Sequence, residues 1–177
     1  MTTILESIVE RKREEIASRQ AQCPAIELEA RLADSPPPRG FVNAIREARE
    51  GALIAEIKKA SPSAGLIRED FDPVELAGTY QQARGNLSEL PLLTNRFSRG
   101  GLSTWKWVCG NTWTGRCWGK GFSFWMGYQL LEARVAGADA VLLIAECLGA
   151  CELRELYFSA ERTGTRCAAG DLRARES

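Results

Sequence analysis

Residues 52–65 read ALIAEIKKASPSAG, and this stretch decides the fold. The run Ala52-Leu53-Ile54-Ala55 shows no clean polar/apolar alternation, as expected of a strand buried on both faces of a parallel sheet. It leads into Glu56-Ile57-Lys58-Lys59 and, after Ala60, into a loop of Ser61-Pro62-Ser63-Ala64-Gly65. Charge inside such a strand is costly unless paired. Glu56 and Lys58 are two residues apart and so share one side of the strand. Taken alone, the pair reads as a surface ion pair at a strand end.

Working outward, helices precede this strand. Residues 3–19 carry Ile4, Leu5, Ile8, Val9 and Ile16 on one face, with Thr3 and Glu6 spaced as a capping box. A second helix is predicted over Ala25–Ala33, broken by Ser35-Pro36-Pro37-Pro38, and a third over Phe41–Glu50. After the Ser-Pro-Ser loop, Asp72-Pro73 supplies an N-cap and a first-turn proline for the helix DPVELAGTYQQ. GYQLLEARVAG (127–137) predicts a helix ending at Gly137, ADAVLLIAE (138–146) a buried strand, and 147–162 a final helix. Helix and strand alternating over short connections predict an α/β fold with a parallel sheet.

Bulk properties exclude several classes. Lys plus Arg and Asp plus Glu both number 23, so no global charge points to nucleic acid or an anionic membrane. No apolar run reaches membrane-spanning length, and the charged N-terminus lacks a signal-peptide core, so a cytoplasmic location is expected. The six cysteines (Cys23, Cys109, Cys117, Cys147, Cys151 and Cys167) lack zinc-finger spacing, and there is no histidine. No metal is expected, the thiols read as small apolar side chains, and catalysis would rest on carboxylates and lysines.

Residues 84–126 do not fit this pattern. They hold all five Trp, six bases (Arg84, Arg96, Arg99, Lys106, Arg116, Lys120) and one acid, Glu89. Neither helical nor strand periodicity is sustained. One reading is a basic, aromatic patch for single-stranded nucleic acid or a membrane, a non-catalytic interaction module. The other is an off-frame reading of a GC-rich gene, because Leu-Asp/Glu codons shifted by one base yield Trp.

IAEIKKASPSAGLIREDFDPVELAGTY (54–80) resembles the indole-3-glycerol-phosphate synthase family, whose first barrel strand ends in Glu-x-Lys followed by Ser-Pro-Ser. ILESIVERKREEIASR and PPRGF resemble its N-terminal helices, and GYQLLEARVAGADAVLLIAECL (127–148) its third helix and fourth strand. The resemblance covers about 1–83 and 127–162, and it favours the off-frame reading between them. Another phosphate-binding barrel, phosphoribosylanthranilate isomerase, fits the Glu-x-Lys and Ser-Pro-Ser stretch and the N-terminal helices less well.

The resemblance implies a (β/α)8 TIM barrel with an N-terminal helical extension over 1–50. Residues 51–177 would form about the first half of the barrel, four strand positions, with the second strand near Leu87–Thr94, the third near Thr114–Trp118, and 84–126 poorly specified. It implies closure of 1-(2-carboxyphenylamino)-1-deoxyribulose 5-phosphate to indole-3-glycerol phosphate in tryptophan biosynthesis, by a carboxy-lyase without cofactor. Lys58 would grip the anionic, phosphorylated substrate, Glu56 would support proton transfer, Lys120 would be the general acid, and Ser61 and Phe122 would contact substrate. Gly121 stands where the family has Asp after that lysine, and no fifth-strand Glu is evident in TRCAAGDLRARES. The chain as written is therefore expected to be truncated, frame-disrupted and inactive. No nucleic-acid or membrane partner is expected, and oligomeric state is left open.

Overall fold

The computed structural model describes residues 4–47, 54–57, 60–61, 65–82, 90–93, 118–124 and 126–170. Three helices come first: α1 (Ile4–Gln22), α2 (Ala25–Leu32) and α3 (Phe41–Glu47). Then follow β1 (Ile54–Ile57), a short hairpin of β2 (Ala60–Ser61) and β3 (Gly65–Leu66), and α4 (Pro73–Gln82). The rest are β4 (Leu90–Leu93), β5 (Trp118–Phe124), α5 (Gly127–Val135), β6 (Ala140–Ile144), α6 (Ala150–Arg162) and β7 (Arg166–Gly170). Thr3 of the expected capping box lies outside the described residues.

The caps explain where the helices start and stop. Asp72 Oδ1 accepts from the Val74 and Glu75 N–H groups at 2.8 and 3.2 Å, so the expected N-cap of α4 forms. At α6 the Gly149 N–H donates to Glu152 Oε2 at 2.8 Å, half of a capping box. α5 ends with Gly137 at φ 91, the Ala138 N–H donating to Ala133 O and the Gly137 N–H to Arg134 O. α6 repeats this pattern with Gly164 at φ 77, Thr165 donating to Ala160 and Gly164 to Glu161. Both are Schellman ends, in which a left-handed glycine satisfies the last carbonyls and turns the chain into the next strand.

β1, β4, β5, β6 and β7 form one parallel sheet in chain order. α4, α5 and α6 are the helices between β1 and β4, β5 and β6, and β6 and β7, and successive βαβ units build a sheet of this order. It corrects the expectation of four strand positions: Arg166–Gly170 pairs in full register with Ala140–Ile144 as a fifth strand. Its sequence, RCAAG, is small-residue-rich and poor in strand-forming side chains, which hid it. The second strand falls inside the expected stretch, but the third begins at Trp118 rather than centring on 114–118. The register is staggered. Glu56, third of four residues in β1, lies through Leu92 and Trp118 in one row with Ala140, the first residue of β6. Tilted strands of a barrel wall produce such a stagger. Among the described residues the sheet is open, with β1 and β7 at its edges.

One face of the sheet is covered by helices. Ile57, Val141 and Leu143 are buried with Ala77, Leu130, Ala133, Leu156 and Ala160 of α4, α5 and α6. Ala140 alternates with Val141 and so belongs to the other face, where it packs with buried Phe41. Thus α3 plugs the second face at the N-terminal end of β6. Burial of Phe41, 2% exposed, is worth roughly 2–3 kcal/mol.

The N-terminal helices are tied to α5 by polar contacts across about a hundred residues of sequence. Ile16 and Leu28 pack on Tyr128 and Leu131. Arg19 Nε donates to Glu132 Oε1 at 2.8 Å, and the Tyr128 hydroxyl to Cys23 O at 2.9 Å. Arg134 donates to Pro36 O, and burial pulls its guanidinium pKa down although nearby Asp139 opposes the shift. Burial, reinforced by Glu132, raises the Tyr128 phenol.

Burial, with Glu161 adding to it, pushes the Cys167 thiol up to about 12. A group with a raised folded pKa stabilises fully below its unfolded value, roughly 8.5 for a thiol, and loses that contribution as pH rises toward the folded value. Stability from Cys167 should therefore decline above roughly pH 8.5. At pH 8, labelling with a maleimide followed by peptide mass spectrometry should modify exposed Cys151 well before Cys167. Equal rates would contradict this assignment.

Candidate functional site

All five parallel strands end on the same edge, at Ile57, Leu93, Phe124, Ile144 and Gly170. Phe41 blocks the opposite end of the sheet's helix-free face, so the C-terminal rim is the open end. In folds built from βα units, such rims are where ligands bind.

Glu56 lies on this rim, one residue before the end of β1, in register with Leu92 of β4. Lys58 lies outside the described residues. Ser61 belongs to the small antiparallel hairpin that follows β1, paired with Gly65 at φ 65, while Ala60 pairs with Leu66. This hairpin closes the Ser-Pro-Ser loop, and it exposes Leu66 and Ile67 by 56% and 54%.

Lys120 and Phe122 are the third and fifth residues of β5. β4 separates β1 from β5. Two strand spacings, roughly 10 Å, separate β1 from β5, and Lys120 lies two residues past Trp118, which shares a row with Glu56. The pairing of β5 with β6 is irregular at this point. Between the pairs Gly119–Val141 and Phe124–Leu143, β5 advances five residues and β6 only two. Lys120, Gly121 and Phe122 all sit in that irregular stretch, and such bulges re-aim side chains. Of the five Trp, Trp118 starts β5, in register with Leu92 and Ala140. The others lie outside the described residues, as does most of the proposed basic aromatic patch.

Among the described residues, no cluster of His, Cys, Asp or Glu could hold a metal, and no helix is long and apolar enough to cross a membrane. Sequence reasoning missed two ion pairs with a buried carboxylate, Arg19–Glu132 and Arg39–Asp139. Arg39 donates to Asp139 Oδ1 through its backbone N–H at 2.8 Å and its Nε at 3.1 Å, and Nη2 lies 2.9 Å from Oδ2. Its Nη2 also donates to Gly137 O at 2.9 Å. Arg39 was visible in PPRGF, but its partner is a hundred residues away, and no local spacing rule reaches that far.

Comparison with known proteins shows the family. The family model for indole-3-glycerol phosphate synthase matches residues 5–167, spanning the Trp-rich segment and reaching into β7. The indole-3-glycerol phosphate synthase of Rhodopirellula baltica is 44% identical over 163 residues, covering 92% of this chain and 61% of that protein. That of Acidithiobacillus ferrooxidans is 42% identical over 164 residues, covering 91% and 61%. The chain thus spans about three-fifths of the length of these relatives.

Proposed function

The chain belongs to the indole-3-glycerol phosphate synthase family, and on that premise we propose that its rim residues serve that family's ring closure. The substrate is 1-(2-carboxyphenylamino)-1-deoxyribulose 5-phosphate, and the chemistry needs no cofactor. The ring carbon bearing the carboxylate bonds to the ketone carbon. Carbon dioxide then leaves, its bonding electrons restoring the aromatic ring, and the former ketone oxygen departs as water with double-bond formation.

Lys58 is the cation that holds the anionic substrate, and Lys120 protonates the ketone oxygen and assists its departure. Glu56 supports proton transfer and holds Lys58 in place, while Ser61 and Phe122 contact substrate from the hairpin and from β5. The observation that carries this reading is the place of Glu56 at the C-terminal end of the first strand of a parallel sheet. Strand alternation assigns position 56 to the face opposite buried Ile57, away from the helices. Residues 1–50 serve as the helical extension and 51–177 as barrel wall. The enzyme acts in the cytoplasm on a phosphorylated small molecule, with no nucleic-acid or membrane partner.

This 177-residue polypeptide is itself inactive. Gly121 replaces the Asp expected after Lys120, and β7 carries no carboxylate. The test separates binding from turnover. A substrate analogue with its ketone reduced to an alcohol cannot cyclise. It should bind the pure chain weakly but saturably, and Lys58→Ala should weaken binding by about ten- to a hundredfold, the worth of one charge-assisted contact. Unchanged affinity in Lys58→Ala would remove the proposed role.

A further inference from the structure

A cleft of about 430 Å³ opens between α1 and the segments that lead into α5 and α6. Its volume lies within the range of small-molecule sites. Arg13, Ala17 and Gln20 line it from α1, and their spacing places them on one helical face. Met126, Leu148 and Glu152 line it from the other side.

Two opposite charges line this cleft, Arg13 from α1 and Glu152 from α6. Arg11, Lys12 and Arg19 each pair with Glu15, and Arg19 also with Glu132. Arg13 has no ion pair among the described residues. Glu152 accepts from the Gly149 N–H but likewise has no cation partner among them. One cation and one anion therefore line the same cleft without meeting, over the apolar surface of Ala17, Met126 and Leu148.

We propose that this cleft binds a zwitterionic α-amino acid with an apolar side chain. Its carboxylate meets Arg13 and the Gln20 amide, its ammonium meets Glu152, and its side chain lies on Met126, Leu148 and Ala17. The charge arrangement discriminates among ligand classes. A phosphate ester meets repulsion from Glu152, an amine meets repulsion from Arg13, and a neutral apolar molecule leaves both charges partly desolvated and unpaired. The proposal stands independently of the synthase reading, since it uses none of Glu56, Lys58, Ser61, Lys120 or Phe122.

The experiment is calorimetric titration of the full 177-residue chain with L-phenylalanine, phenethylamine and 3-phenylpropionate. Phenylalanine should bind saturably, and each analogue lacking one charge should bind about tenfold more weakly or worse. Arg13→Gln and Glu152→Gln should each reduce phenylalanine affinity by about tenfold. Glu152→Gln keeps an acceptor for the Gly149 N–H, so α6 stays capped, and circular dichroism checks that both variants are folded. The proposal is overturned by an absence of saturable binding at about 10 mM, by an analogue binding as well as phenylalanine, or by both variants binding normally.

Discussion

Supplied with 1-(2-carboxyphenylamino)-1-deoxyribulose 5-phosphate, the pure 177-residue polypeptide is expected to form indole product at least about a thousandfold more slowly than a full-length relative. Loss of one preorganised electrostatic contact typically costs about a hundred- to a thousandfold, and on the proposed reading Gly121 and β7 each depart from the family's pattern. The fifth strand, Arg166–Gly170, contains no carboxylate. In the irregular stretch of β5, Lys120 is followed by Gly121, and the strand's sequence WGKGFSF contains no acid. Following the indole chromophore in a steady-state assay measures this directly. Turnover within about tenfold of a relative would show that the missing groups are dispensable or replaced.

The second large effect is on stability. Asp139 and Arg39 have side chains 2% and 28% exposed, and together they pin the segment before α3 to the turn before β6. Removing one partner of a buried pair strands the other, at about 3–5 kcal/mol when both are fully buried. Solvent near Arg39 screens the pair, so Arg39→Ala should cost about 3 kcal/mol and Asp139→Ala about 2 kcal/mol. Arg39→Ala is the worse because it leaves a carboxylate in the interior without the guanidinium that faces both its oxygens. Asp139→Ala leaves a guanidinium that still reaches Gly137 O and solvent. The double variant should cost clearly less than the sum of the two. Urea melts of all four proteins measure this, and simple additivity would mean that the two residues act separately. A loss of this size is a large part of the stability of an ordinary domain.

The sequence was most legible where local rules act. Asp72-Pro73 announced α4, Gly137 ended α5, and ALIAEI and AVLLI read as buried strands because their apolar runs are short and unbroken. β7 was hidden because Arg-Cys-Ala-Ala-Gly has small side chains and no strand pattern. Only its ladder with β6 and the packing of Cys167 beneath α6 make it a strand. β5 was misplaced because WGKGFSF lacks alternation, and the structure shows why: its pairing slips by three residues relative to β6. Of the site, the position of Glu56 near the end of a strand was legible in its apolar run, the β2–β3 hairpin at Ser61 was not, since Ser-Pro-Ser-Ala-Gly reads as a loop, and the Arg39–Asp139 clamp depends on a contact no local pattern encodes.

The central claim is that the segment from β1 to α4 carries a working part of the synthase site. The most direct test grafts residues 51–82 of this chain into the Rhodopirellula baltica relative, in place of its matching segment, and measures kcat/KM with and without Lys58→Ala. The graft should keep activity within about tenfold of the parent, and Lys58→Ala should lower kcat/KM by at least about a hundredfold. An active graft that is indifferent to Lys58→Ala, or a folded graft with no activity, would contradict the claim.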